Sequence, residues 1–351
     1  ASATSPSIIK ITLATADLNT IKIKTQLGVS QESTYLSTSN KFILDLAGNA
    51  ADVIQSGDAL NAAQFTEDSV KPAITSFSFD ENAEKITLTF SETVKASTFQ
   101  PQYLRLQDKQ SSPTAGYTIT GSVSQSTVDS TVLEFQLLLD DMNNIKRISS
   151  LAKQRSSTFL ASVEEFDQQG TRLPSSLLTD MNGNKLAPLL PFNALNAQTY
   201  TTDAISTALL KFDMNMATGT VTLYFSEPMD MSTLTLSALT LASSGAEFGK
   251  GQWTTDISAS GVVSNTLLQQ VSIRFNNDDL NMLKELEICK TSLTCFLYQS
   301  GALIADLRRN FVTEISQTNP LTVQVYTADN VKPALLPAGF VSFSLNTGRL
   351  V

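Results

Sequence analysis

Leu133-Glu134-Phe135-Gln136-Leu137, then Asp141-Met142-Asn143-Asn144-Ile145-Lys146, then Thr158-Phe159-Leu160, then Asp180-Met181-Asn182-Gly183-Asn184: this ordered set within Thr131–Asn184 decides how the chain is organised. The same order occurs earlier as Ile9, Ile11, Leu13, then Asp17-Leu18-Asn19-Thr20-Ile21-Lys22, Thr34-Tyr35-Leu36 and Asp45-Leu46-Ala47-Gly48-Asn49. It occurs later as Val271, Ile273, Phe275, then Asp279-Leu280-Asn281-Met282-Leu283-Lys284, Cys295-Phe296-Leu297 and Asp306-Leu307-Arg308-Arg309-Asn310. A period this long is the signature of tandem structural repeats. Each copy opens on alternating apolar residues, the pattern of a half-buried strand. An acidic residue then opens a short helical pattern, and a Gly/Asn turn follows two further strand-like runs.

A closing phrase recurs as well. It reads Gln64-Phe65-Thr66-Glu67-Asp68, Gln198-Thr199-Tyr200-Thr201-Thr202-Asp203 and Gln324-Val325-Tyr326-Thr327-Ala328-Asp329. The closing Asp residues lie 135 positions apart (203 − 68) and 126 apart (329 − 203). Either period suits one β-sandwich with an inserted helix. Val70-Lys71-Pro72-Ala73-Ile74 follows the first closing Asp, and Val331-Lys332-Pro333-Ala334-Leu335 follows the third. Proline stiffens such a junction and removes a donor. Early strands then alternate through Ile86, Leu88 and Phe90 to Phe90-Ser91-Glu92, and through Val221, Leu223 and Phe225 to Phe225-Ser226-Glu227. The expected division is a late half-repeat over 1–68, whole repeats over 69–203 and 204–329, and the first strands of another over 330–351.

The composition sets the class. The 351 residues are 42% hydrophobic and 16% charged, enough to bury two or three cores. The net charge is −9 with no basic run, which argues against nucleic acid and anionic membrane as partners. No apolar run is long enough for a membrane span. The chain has no histidine, which lowers the odds of acid–base catalysis and of a zinc site. Having no signal peptide and no initiator Met, it reads as a processed or visible part of something longer. Cys289 and Cys295 sit six residues apart in the third copy, and the matching places elsewhere carry no Cys. A local disulfide in an oxidising compartment is favoured over free buried thiols, and two thiolates make only half a zinc site.

The phrases Phe-Ser-Glu, Asp-Leu-Asn and Asp-x-x-Gly-Asn, repeating in this order, resemble tandem Ig-like repeats of large cell-surface proteins. They resemble in particular the bacterial-Ig-like type found in a cyanobacterial swimming-motility surface protein. The resemblance spans essentially the whole chain. It implies an all-β string of Ig-like β-sandwich domains, each with a short inserted helix. It also implies an extracellular adhesive or fibre-forming role without catalysis. Arg308 and Arg309 depart from the Gly-bearing turn of the other copies.

Several side chains invite a chemical reading. Asp17, Asp141 and Asp279 could be ligands, though helix N-caps are favoured. Asn19, Asn143 and Asn281 suit structural hydrogen bonds. Asp180, Asn182 and Asn184 have the odd spacing of a calcium loop but lack the remaining EF-hand ligands, so a turn is favoured. Calcium at the junctions stays open, with Asp68 or Asp203, Asp80 or Asp213, and Glu92 or Glu227 as candidate ligands. Asp140-Asp141 and Asp278-Asp279 are adjacent rather than opposed across a cleft, so they do not read as a glycosidase pair. Trp253 and the aromatic residues Phe65, Tyr200 and Tyr326 could stack a sugar, though core packing suits the recurring three. A carbohydrate- or surface-binding module is the alternative function.

The expected partners are other copies of the chain, or further repeats of the same polypeptide, joined end to end. Residues 1–68 alone cannot close a sandwich, so the strand through Ile9 to Leu13 is expected to need covering. Phe343–Val351 carries the pattern of early strands and is a candidate donor.

Overall fold

The computed structural model of the protein describes residues 2–5, 8–244, 252–254, 269–334, 342–344, 346–347 and 349–350. Leu335 of the third junction phrase, Val351 and the side chain of Trp253 lie outside the described set. Among the described residues the structure is mostly β, with several small sheets and three short helices: α1 (Thr15–Lys22), α2 (Leu139–Arg147) and α3 (Asn277–Glu285). It divides into two compact units, Ala1–Ala204 and Ile205–Val351.

In the first unit a five-stranded sheet has the order Thr199–Thr201, Ile74–Asp80, Lys85–Val94, Ser130–Leu137, Ser122–Gln125. All its pairings are antiparallel except the first, where Thr199–Thr201 runs parallel to Ile74–Asp80. A four-stranded sheet has the order Leu195–Asn196, Phe159–Ser162, Leu104–Gln107, Gly116–Thr118. Alternation decides which face turns inward. Along Lys85–Val94, Ile86, Leu88 and Phe90 are buried while Lys85, Thr87 and Thr89 are only half-buried. They join Phe77, Phe79, Leu133 and Phe135 of the same sheet in one cluster. Leu104, Leu106 and Leu160 of the other sheet, and Met142 and Ile145 of α2, complete it. One apolar face of each sheet and one stripe of the helix are thus removed from water together.

The second unit builds a separate cluster from corresponding parts. One sheet has the order Gln270–Arg274, Thr220–Phe225, Leu209–Asn215, Val325–Thr327, the last strand again parallel to its neighbour. The other has the order Gln252–Thr254, Leu239–Ala242, Phe296–Gln299, Leu321–Thr322. Phe212, Met214, Val221, Leu223, Val271, Ile273, Leu239, Leu241 and Leu297 share this core.

The Gly/Asn turns are structural, with one geometry in all three copies. Asp180 Oδ1 accepts from the backbone N–H groups of Asn182 (2.9 Å) and Asn184 (2.7 Å), and Oδ2 accepts from Asn184 Nδ2 (2.8 Å). Asp45 and Asp306 accept from the corresponding groups. The fourth position has positive φ: 88° at Gly48, 88° at Gly183 and 73° at Arg309. The double arginine therefore replaces the residue that fits this conformation without replacing the turn.

A second repeated loop explains where the disulfide sits. Gly28, Ala152 and Cys289 occupy one place, all at positive φ. Each donates its backbone N–H to a residue five positions on: Ser33, Ser157 and Thr294. Cys289 and Cys295 are disulfide-bonded. They close the loop that backbone bonds alone close in the other copies. Ala152→Cys together with Thr158→Cys should therefore oxidise to a second intramolecular disulfide, since 152 and 158 match 289 and 295. A thiol titration that still finds two reactive sulfhydryls after air oxidation rejects this equivalence.

Two expectations about local structure are corrected. The helix Asp residues are not N-caps. The caps are Ala14, Leu138 and Asn276, and Asp17, Asp141 and Asp279 lie in the first helical turn. Only Asn276 caps with its side chain, accepting from Asp279 N–H at 2.7 Å. Starting the helix earlier frees the Asp141 carboxylate for longer-range bonds, while its charge still suits the helix N-terminus. The second of the two strand-like runs before the turn, which in the first copy falls near Phe42–Leu44, is reduced to an isolated bridge between Leu44 and Ala50.

Candidate functional site

The last turn of each helix carries a lysine, and the end of each copy carries an aspartate. The structure joins them every time. Lys22 Nζ lies 2.6 Å from Asp68, Lys146 Nζ 2.7 Å from Asp203, and Lys284 Nζ 2.6 Å from Asp329. The lysines stand in the helix motif and the aspartates in the closing phrase. Their joint recurrence was the signal that could have paired them. The contexts differ in burial. Lys146 and Asp203 are almost wholly enclosed, Lys22 and Asp68 partly, and Lys284 and Asp329 least.

Around Lys22 the site is richest. Carboxylate oxygens of Asp68, Glu92 and Asp180 lie within 4.8 Å of one another. Glu92 ends the Phe-Ser-Glu phrase on the strand Lys85–Val94, and Asp180 opens its turn. The Lys22 ammonium bonds both Asp68 and Glu92. Burial opposes its charge, but the hydrogen bonds to Asp68 and Glu92 prevail and hold Lys22 above the ordinary lysine value. Burial also pushes Asp68 upward, and Lys22 outweighs it, leaving Asp68 below its ordinary value. Glu92 stays raised, chiefly through burial, with Asp68 and Asp180 adding repulsion that the shared ammonium only partly offsets. Asn182 and Asn184 donate their side-chain amides to the Asp68 carbonyl at 3.0 and 2.9 Å. Asn19 on α1 accepts from Thr93 N–H at 3.2 Å. The closing Asp of residues 1–68 is thus fixed to α1, to Glu92 and to the Asp180 turn at once.

Of the calcium candidates, Asp68 and Glu92 are brought together, with Asp180 added. Their cation is Lys22, which calcium would have to displace before it could gather the six to eight oxygens it takes. Asp80 lies elsewhere. It pairs with Lys85 at the hairpin turn, seven residues along the strand from Glu92, roughly 23 Å away at 3.3 Å per residue. Asp213 is not its counterpart. Thr201 lies opposite Asp80 and Thr327 opposite Asn215, so Asn215 matches Asp80. Asp213 instead accepts from Val325 N–H at 3.0 Å and Tyr224 OH at 2.7 Å. That bond, with burial, pushes the Tyr224 phenol up to about 12. Asp203 is held by Lys146, and its own N–H donates to Glu81. Glu227 is half-buried.

Two further recurring groups have structural partners. Tyr200 OH donates to the Ala152 carbonyl and Tyr326 OH to the Cys289 carbonyl, each at 2.7 Å, binding the closing strand to the repeated loop. Asp141 is fully buried and accepts from Tyr117 OH (2.7 Å), Thr120 N–H (2.9 Å), Thr120 Oγ1 (2.8 Å) and Gly121 N–H (3.4 Å).

No family model matches the chain, and no curated protein matches it. Among solved structures it is similar to the S-layer protein rSbsC(31-844), at 12% identity and a TM-score of 0.23. That match covers 54% of this chain and 22% of the other, so the chain spans about a fifth of the solved structure. A likeness this distant carries no argument about fold or function.

Proposed function

We propose that the protein is a non-catalytic structural element, a run of Ig-like β-sandwich repeats divided at 68/69, 203/204 and 329/330. Its place is an extracellular filament, appendage or surface layer, where it joins end to end with further repeats or other copies. The observation that carries this reading is the lysine–aspartate tie at the close of every copy. The tie anchors each closing segment to the body of its own copy, which keeps the repeats of a string under tension from opening at their ends. The Cys289–Cys295 disulfide fits an oxidising extracellular compartment. No described helix is long and apolar enough to cross a membrane.

Electron microscopy of the purified protein over a concentration series tests the proposal. Linear assemblies that lengthen with concentration are expected. Single particles at every concentration, together with saturable binding on a glycan array, would overturn it in favour of a carbohydrate-binding module.

A further inference from the structure

The tie that closes the second copy differs from the others in what surrounds it. Lys146 leaves the last turn of α2, and Asp203 closes the segment after the strand Thr199–Thr201. Their side chains are 4% and 2% exposed, with Nζ 2.7 Å from Oδ2. A third ionisable residue is enclosed with them. Glu81 follows the strand Ile74–Asp80, is 1% exposed, and accepts at Oε2 from the Asp203 N–H at 3.3 Å. The backbone on both sides is held. Glu81 donates its own N–H to the Thr201 carbonyl at 3.0 Å, and Ala204 donates to Asn82 at 2.7 Å. An amine, the carboxyl it touches and a second carboxyl are therefore fixed together with almost no access to solvent.

The third copy offers an internal comparison. Met216 donates its N–H to the Thr327 carbonyl as Glu81 does to Thr201, so Met216 holds the place of Glu81. It is buried too, but its thioether exchanges no proton. Lys284 and Asp329 are 39% and 26% exposed there. Of these two copies, only the second combines an enclosed lysine–aspartate contact with an enclosed acid beside it.

Enclosure changes what an ammonium and a carboxylate can do to each other. Low dielectric penalises the charged form of either group, and burying the pair costs more than their attraction readily repays. The neutral amine and carboxylic acid, which are the forms that react, come within reach. Contact held by packing also replaces the chance encounter of two free reactants.

We propose that Lys146 and Asp203 condense to an intramolecular amide, with Glu81 as the group that moves the proton. One proton passes from Nζ to the Asp203 carboxylate, giving amine and acid. Nζ attacks Cγ, and Glu81 takes a second proton from the nitrogen and returns it to the departing hydroxyl. A C–N bond forms, a C–O bond breaks and one water leaves, with nothing oxidised or reduced. The product joins α2 to the closing segment covalently, across 57 positions of sequence. The third copy, with Met216 in place of Glu81, keeps its tie ionic. The inference does not depend on end-to-end assembly. The ion pair is the state of the chain before condensation, and the stability that the pair contributes refers to that state.

The test is the mass of the purified full chain, unfolded and with its disulfide reduced. Wild type should be lighter than its sequence requires by one water, about 18 Da. Tryptic digestion should give one branched peptide that joins the residues around Lys146 to those around Asp203, with no cleavage after Lys146. Lys146→Arg and Glu81→Gln should each restore the full mass, with circular dichroism checking that both variants remain folded. A wild-type chain of full mass overturns the proposal whether or not the variants fold. A missing water that maps to any other pair of residues overturns it as well. A Glu81→Gln chain that still lacks the water would overturn the role given to Glu81.

Discussion

Lys146→Met lowers the unfolding free energy of the first unit by about 3–5 kcal/mol, the usual result of removing one partner of a buried ion pair. The Lys146 and Asp203 side chains are only 4% and 2% exposed, so the carboxylate left behind cannot regain water. Its N–H is already committed to Glu81, and the next residue, Ala204, donates to Asn82, so the segment is held in place. The control is Lys284→Met, which breaks the same motif where both side chains reach solvent and should change stability only marginally. Equilibrium denaturation of the full chain, followed with probes in each unit, measures both. Equal losses from the two variants would mean that burial does not set the strength of the tie.

The second large effect belongs to Asp141. Asp141→Ala should cost about 3–5 kcal/mol, since hydrogen bonds to a charged group contribute roughly 1.5–3 kcal/mol each and do not add fully. Four donors would be left facing a cavity, two of them backbone N–H groups of Thr120 and Gly121. Tyr117 supplies an independent readout. Burial raises its phenol above the ordinary value, and the bond to Asp141 raises it further. The folded pKa exceeds the unfolded one, so this contribution is fully present below the unfolded value and is lost as pH rises through the folded value. In the Asp141→Ala protein the Tyr117 titration should move back toward the ordinary tyrosine range. A spectrophotometric titration indistinguishable from wild type would count against the assigned bond.

Much of this was legible in the order of motifs. Ile86, Leu88 and Phe90 alternate with polar residues, and the structure buries them. The Asp–Gly–Asn turns announced themselves because their bonds are local: a carboxylate, two backbone N–H groups and one amide within five residues. Asp141 was less legible. Its partners at 117–121 come from a loop in another part of the copy, and a local pattern cannot distinguish that from a cap. The match between Asp80 and Asp213 failed for a related reason. The two strands carry acids at different registers, and only pairing with Thr201 and Thr327 shows which positions correspond. The junction ions were half visible: the carboxylates stand out in sequence, but the ammonium that joins them comes from a helix more than forty residues away.

The parallel pairing of Thr199–Thr201 with Ile74–Asp80 has a mechanical consequence. These are the strands by which the backbone enters and leaves the copy, and they lie side by side pointing the same way. Tension applied at both junctions slides one along the other instead of peeling them apart. Their inter-strand hydrogen bonds must then fail together. Leu209–Asn215 and Val325–Thr327 stand in the same relation. A copy built with this pair of strands therefore meets traction in shear, as the two pairings over Thr199–Thr201 and Val325–Thr327 do.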